Sequence, residues 1–184
     1  MKKIGVFENV SIDGCFAGPN GEIDWFKSIE KDEDFEAYTH GQSKGGSTLL
    51  FGRTTYEMMK SYWPTPQAKK ADPAMAKVMN ESPKVVISKT LKSVDDWNNV
   101  RVLDDINAVR ALKEESDITI LGSGSIVRQL ANLGLIDEYQ LVVVPLLLGA
   151  GKALFKDVKM TGLKATEARR FGNGVVVVRY AAAD

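Results

Sequence analysis

The sequence predicts an α/β fold built on a mixed, mostly parallel sheet covered on both faces. Two observations carry the prediction. Short β-rich apolar runs alternate with segments of helical periodicity, the pattern of parallel strands joined by helical crossovers. Near the end, Leu163 to Phe171 and Val175 to Tyr180 flank Gly172, Asn173 and Gly174, which reads as a hairpin and adds antiparallel strands. The 184 residues suit a single domain, 1–184. A chain of that length buries roughly 70% of the surface its unfolded form exposes, so its core needs no disulfide or structural metal.

Taken in order, Ile4 to Val10 is rich in β-formers and reads as the first strand. The charged stretch Glu30 to Glu36 is broken by Phe35, and Tyr38 follows three residues on; that spacing suits a solvated helix with one buried edge. Ser47 to Phe51 is a short apolar strand and Thr54 to Tyr62 a helix. Pro64, Pro66 and Pro73 cluster after Trp63, so Trp63 to Asp72 reads as a loop. Ala74 to Glu81 is a helix, and Lys84 to Ile87 and Val100 to Leu103 are strands. Ile106, Val109 and Leu112 recur at helical spacing through Ile106 to Glu115. Ile118 to Leu121 is a buried strand, and Ile126 to Leu133 is a helix ended by Gly134. Tyr139 to Val144 is a strand, with Asp137 and Glu138 before it as turn and register devices. Val175 to Val178 is apolar on both faces, so both should be covered; a second subunit is one candidate cover.

Composition removes several functions. The 24 Lys and Arg balance the 24 Asp and Glu, and the pI is about 6.6. That lacks the basic field of a nucleic-acid binder and the polybasic signature of a protein drawn to anionic membranes. One Cys and one His build neither an internal disulfide nor a metal cluster, so no metal is expected. His40 falls on the exposed side of its helix, and Cys15 has no base near it in sequence, which makes it a passive thiol. In the opening MKKIGVFENVSIDG, Glu8, Asn9 and Asp13 break the apolar run, unlike a signal peptide. The longest apolar stretch, Leu141 to Ala150, falls short of the ~18 residues of a membrane span. A cytoplasmic protein is the expectation.

In open α/β sheets ligands sit beyond the carboxyl ends of the strands, and three such ends carry unusual chemistry. In LLFGRTTYE, Leu49 to Glu57, a strand runs into Gly52, and Thr54 with Glu57 forms the capping-box pattern. The alternative is that backbone N–H groups left open there, with Arg53, make an anion site. In ILGSGSIVRQL, Ile120 to Leu130, a Gly-Ser-Gly-Ser turn opens a helix and lets the main chain approach a pyrophosphate, although the segment matches neither the Walker pattern nor the full G-x-G-x-x-G pattern. In KVVISKT, Lys84 to Thr90, hydroxyls and an ammonium at a strand end suit a phosphate monoester such as the 2′-phosphate of NADPH; an ordinary polar turn is the other reading. Three such elements on one rim suit a phosphorylated dinucleotide. Trp25, Tyr62 and Trp63 lie on loops, where aromatics either stack on flat heterocycles or pack beneath the chain.

NVSIDG (Asn9 to Gly14), DW (Asp24, Trp25), LLFGRTTYE, VVISKTL (Val85 to Leu91), LGSGS, GLIDEY (Gly134 to Tyr139) and PLLLGAGKALF (Pro145 to Phe155) together resemble the dihydrofolate reductase-like superfamily. Within it they are most similar to the reductase domain of the bifunctional riboflavin-biosynthesis deaminase-reductase and its stand-alone bacterial relatives. The resemblance implies a three-layer α/β/α fold with a central mixed sheet of about eight strands, NADPH as hydride donor, and homodimers. It implies that Gly52, Arg53, Thr54 and Thr55 meet the cofactor phosphates, and that Ser88 and Lys89 lie near the 2′-phosphate. Gly122, Ser123, Gly124, Ser125 and Ile126 would then cradle the pyrophosphate, with main chain around Val10 and the Ser11 to Gly14 turn bordering the nicotinamide. Substrate contacts are expected from Ser11, Asp13, Trp25 and Trp63, with Asp13 as the catalytic candidate. No H-x-E…P-C-x-x-C zinc motif of a deaminase is present.

The expected activity is hydride transfer from NADPH to a C=N or C=O carbon of a small heterocycle or ribosylamino-pyrimidine, in the manner of a 5-amino-6-(5-phosphoribosylamino)uracil reductase. Dihydrofolate reduction proper and non-catalytic nucleotide binding are the alternatives. Asp24, Glu30, Asp32, Glu33 and Asp34 compete with Asp13 and water as proton source, and spacing does not choose among them.

Overall fold

The computed structural model describes residues 1–42, 46–91, 94 and 97–183. The chain runs through β1 (Ile4–Ser11), β2 (Cys15–Ala17), a 3-10 turn (Asp24–Ser28), α1 (Glu33–Gln42), β3 (Thr48–Gly52), α2 (Arg53–Tyr62), α3 (Pro66–Ala71) and α4 (Pro73–Glu81). It continues through β4 (Lys84–Ile87), β5 (Val100–Leu103), a second 3-10 turn (Ile106–Ala108), α5 (Val109–Glu115), β6 (Ile118–Ile120) and α6 (Gly124–Asn132). Last come β7 (Glu138–Val144), β8 (Lys152–Ala153), β9 (Leu163–Arg170) and β10 (Val176–Ala182).

Eight strands form one sheet in the order β5-β4-β3-β6-β1-β7-β10-β9. The strands from β5 to β7 are parallel, and the β9–β10 hairpin adds two antiparallel strands beside β7. Strands β2 and β8 pair separately. The period of two along each strand sends its side chains to two apolar layers. On one face Ile4, Val6 and Val10 of β1, with Ile118 and Ile120 of β6, meet Val109 and Leu112 of α5 and Ile126, Val127 and Leu130 of α6. On the other, Leu49, Phe51 and Val86 meet Tyr56 and Met79 of α2 and α4, and Val142, Val144, Val175 and Val177 meet Tyr38 of α1 and Phe171. The α/β sandwich expected from the alternation is thus present, and one face of the Val175 to Val178 run is covered from within the chain. No helix of the described residues is long and apolar enough to cross a membrane.

Local chemistry fixes the joints. Gly134 (φ +64°) ends α6 in a left-handed turn, with Gly134 N–H donating to Ala131 and Leu135 N–H to Leu130. The Asp137 carboxylate accepts the Ile4 N–H at 2.7 Å and the Lys113 ammonium at 2.8 Å, which sets the start of β1 against β7. Phe35 and Tyr38 turn the buried edge of α1 onto Phe171, with ring centroids 5.2 and 5.4 Å away.

Four features depart from expectation. Residues 66–71 form helix α3 where a loop was expected: Pro66 occupies its first turn and Thr65 caps it. Residues 24–28 form a 3-10 turn, and residues 106–108 enter α5 through another. The β2–β8 ribbon is too short to show a period in the sequence. Thr54 is no N-cap: Gly52 holds that extended position, φ −80° and ψ 162°, so Thr54 lies inside the first turn of α2 and the capping box does not form.

Candidate functional site

Strands β4, β3 and β6 lie side by side and parallel, so the corners after Ile87, Gly52 and Ile120 share one edge of the sheet. Helix caps divide along this edge. Thr65, Asp72 and Asp105 cap α3, α4 and the second 3-10 turn with their side chains, and Asp32 accepts the Phe35 N–H at the start of α1. By contrast α2 and α6 begin after Gly52 and Ser123 with no side-chain cap. Their first N–H groups and the positive ends of both helix dipoles are left open next to each other, an arrangement that favours an anion. The Gly52 N–H donates to the Gly122 carbonyl at 3.0 Å and ties the two corners together. A Cβ at Gly52 would come 2.5 Å from Ser123 Oγ, so the bare backbone is what makes room in this cradle.

A cavity of about 370 Å³ opens over these corners. Gly52, Arg53, Thr54, Ser88, Lys89, Ser123, Ser125 and Ile126, all expected to bind cofactor, line it. Arg53 bridges two of its walls: its Nε donates to Glu57 at 2.9 Å and its Nη1 to Thr90 Oγ1 at 2.9 Å. The Ser88 hydroxyl is nearly buried and accepts the Thr90 and Leu91 N–H groups at 3.3 and 3.0 Å, which shapes the turn that presents Lys89. Asp104 and Asp105 also line the cavity. The backbone and side-chain amides of Asn107, with the Lys89 charge, hold Asp105 below the usual carboxylate range. Two cations and two carboxylates therefore frame the cavity.

A larger cleft, about 860 Å³, runs over the sheet between α1 on one side and α2 with α4 on the other. Thr55, Gly122, Ser123 and Trp63 line it, and Ser123 borders both spaces. Gly124 is buried beneath Phe16, whose ring would lie 2.5 Å from a Cβ there. Glu8, which sequence reasoning did not place in a site, also lines the cleft. Burial alone pushes its carboxyl up to about 8. In the sequence Glu8 shows only as a charge within the β-rich run Ile4 to Val10, and nothing local assigns it a role.

Other expected residues lie elsewhere. Val10, Ser11, Asp13, Gly14 and Trp25 border neither of these two spaces. The Ser11 hydroxyl is buried and donates to Asp13 at 2.6 Å, and it accepts the Cys15 N–H at 3.0 Å. The Asp13 carboxylate accepts the Leu148 and Gly149 N–H groups at 3.1 and 2.8 Å. The Ser11 hydroxyl first, then these amides, lower its pKa to about 2, so it is ionised at neutral pH and carries no proton to donate. Trp25 packs toward the Val142 and Phe171 cluster. Of the competing acids, Glu30 and Asp32 line the large cleft. Asp32 is spent on the Phe35 and Asn173 N–H groups, which lower its pKa, and Asp34 pairs with Arg169 at 2.7 Å. Among the described residues, no group of three or more His, Cys, Asp or Glu gathers in a way that could hold a metal ion.

Comparisons with known proteins give the family and the fold. The RibD C-terminal domain profile matches residues 2–177. The chain is 31% identical to the uncharacterized protein YyaP of Bacillus subtilis over 175 residues, covering 93% of this chain and 90% of that one. It is 30% identical to YwjB of the same organism over 179 residues, 95% of each. Among solved structures, a putative riboflavin biosynthesis protein from Shewanella shares the fold with a TM-score of 0.75 at 21% identity, over 99% of both chains. A pyrimidine reductase-like protein from Corynebacterium diphtheriae matches at 0.65 and 17% identity, over 100% of this chain and 92% of that one. Dihydrofolate reductase from Enterococcus faecalis, complexed with NADP(H) and RAB-propyl, matches at 0.69 and 12% identity, over 99% of this chain and 97% of that one. With its profile matched over nearly its full length and its sheet shared with these structures, the chain belongs to the RibD C-terminal domain family, on a dihydrofolate reductase-like α/β fold.

Proposed function

We propose that the protein is an NADPH-dependent reductase that passes hydride to a small heterocyclic or ribosylamino-pyrimidine substrate. One observation carries this reading: two uncapped helix N-termini stand together on the sheet edge, beside Arg53 and Lys89. Bound there, a dihydronicotinamide cofactor supplies the hydride. The open N–H groups after Gly52 and Ser123 would hold its pyrophosphate. Ser88, Lys89 and Arg53 would take the 2′-phosphate, where Arg and Lys act against the repulsion of Asp104 and Asp105. Thr55 and Gly122 border the larger cleft, which has room for a flat substrate against Trp63. Asp13 holds the 148–149 corner in place and takes no part in proton transfer.

Isothermal titration tests the cofactor assignment. NADPH is expected to bind much more tightly than NADH. Lys89→Ala and Arg53→Ala should each weaken NADPH by about tenfold or more, the size of a lost charge-assisted hydrogen bond, and barely change NADH. Equal affinity for the two nucleotides removes the 2′-phosphate assignment. Dihydrofolate reduction is a second reading, favoured by Glu30, Asp32 and Glu36 on the cleft wall. Turnover with dihydrofolate, followed by loss of the reduced cofactor's absorbance, against turnover with the ribosylamino-pyrimidine separates the two. Tight NADPH binding with neither turnover points to a nucleotide-binding role or another acceptor.

A further inference from the structure

Resting on the reductase reading, we propose that Glu8 is the acid that supplies the proton accompanying hydride transfer, and that its ionisation follows the oxidation state of the bound nicotinamide. Extending the parallel register from Val6 and Ile120 puts Glu8 beside Gly122, just past the end of β6. The sheet has a gap there, and Glu8 lines the cleft at that point. A Cβ on Gly122 would lie 2.9 Å from Glu8 Oε1 and 3.0 Å from Thr55 Oγ1. The bare glycine, φ +102°, thus leaves a slot with a carboxyl and a hydroxyl at its sides. Thr55 belongs to the first turn of the uncapped helix α2, so the slot joins the anion cradle to the cleft.

Among the described residues the Glu8 carboxyl has no hydrogen-bond or ion-pair partner; the residue is half-buried and opens on the cleft, where a ligand can reach it. The charged and titratable groups on the elements around it are engaged elsewhere. Arg53 of α2 is held by Glu57 and Thr90. Glu138 of β7 pairs with Lys3, and Arg128 of α6 donates to the Ala153 carbonyl. Beyond β1, Asp13 binds the 148–149 amides, and Cys15 of β2 is a buried thiol. Burial is the only cause acting on Glu8, and with its pKa near 8 the group is protonated at neutral pH.

The proton balance closes on this residue. The acceptor carbon of C=N or C=O takes the hydride with its electron pair, and the heteroatom takes the Glu8 proton. The carboxylate left behind faces a nicotinamide that has become cationic, so the charge enclosed by the slot is unchanged. Before the reaction both partners are neutral; afterwards they form an ion pair.

The test needs no substrate. Calorimetric titrations of NADP⁺ and NADPH at pH 7, in buffers of different ionisation enthalpy, count the protons released on binding. The 2′-phosphate is common to both nucleotides and cancels in the comparison. Wild type is expected to release about one proton more with NADP⁺ than with NADPH, and its NADP⁺ affinity should rise up to about tenfold per pH unit between roughly 6 and 8. In Glu8→Gln, an isosteric change, both differences should vanish while both nucleotides still bind. Carbon-13 NMR of the wild-type carboxyls offers a second readout that needs no variant: the Glu8 midpoint should lie near 8 and fall when NADP⁺ is added. Nucleotide binding with no proton difference, or with Glu8→Gln like wild type, overturns the role of Glu8 and leaves the reductase reading standing. Failure of both nucleotides to bind overturns that reading, and the role of Glu8 with it.

Discussion

Glu8 within β1 and Asp13 in the turn after it sit in opposite electrostatic states, and each state has a consequence that can be measured. Asp13 is lowered to about 2 by Ser11 and the Leu148 and Gly149 amides. A folded-state pKa below the unfolded value gives stability that is present above 3.8 and lost as pH falls toward 2. Asp13→Ala should therefore lower the melting midpoint at pH 7, and the gap to wild type should close over that acid window. Glu8 has the reverse sign. Its pKa is raised from 4.5 to about 8, so its contribution is intact below 4.5 and fades as pH rises to about 8. Glu8→Gln should melt higher than wild type, by more at alkaline than at acid pH. Gly52, Thr54, Ser88, Ser123 and Ser125, which share the smaller cavity, stand out in the sequence because Gly, Ser and Thr at strand ends have a local geometric meaning. Glu8 does not, because its significance comes from Gly122 and Thr55, which reach it only through the sheet. The sequence gives no sign that Asp13 accepts the Leu148 and Gly149 amides, because those donors lie far along the chain.

Elements were legible where a period or a run of β-formers declares them, as in β1, β4, β5, β7 and the β9–β10 hairpin. Helix α3 is hidden in the sequence because Pro64, Pro66 and Pro73 read as breakers, although at a first turn proline has no N–H bond to lose. The β2–β8 ribbon was hidden because its pairing is tertiary. Two predictions belong at this scale. Gly52→Ala puts a methyl group 2.5 Å from a rotatable Ser123 hydroxyl, so the fold should tolerate it while the cradle narrows. Nucleotide affinity is expected to drop at least about tenfold with little change in the melt. Lys84, almost wholly buried at the start of β4, donates to the carbonyls of Asn80, Ser82 and Asn98 at 3.1, 2.7 and 3.0 Å and lies 4.6 Å from the Trp97 ring centroid. It joins the end of α4 to the approach to β5. Lys84→Met would strip three buried acceptors of their donor and should cost about 3 kcal/mol in denaturant unfolding.

Across the whole molecule, the strand order places β1 between β6 and β7, with Ile4 opposite Ile118 and Gly5 opposite Glu138. Strand β1 is thus the keystone of the finished sheet, and both of its neighbours are made much later. Contacts so distant in sequence are slow to close. Until residue 144 has emerged, β1 and the acid it carries have no permanent place to lie. Nascent chains arrested before that point should remain open to protease along residues 4–11, and protection should appear in a single step once β7 is complete.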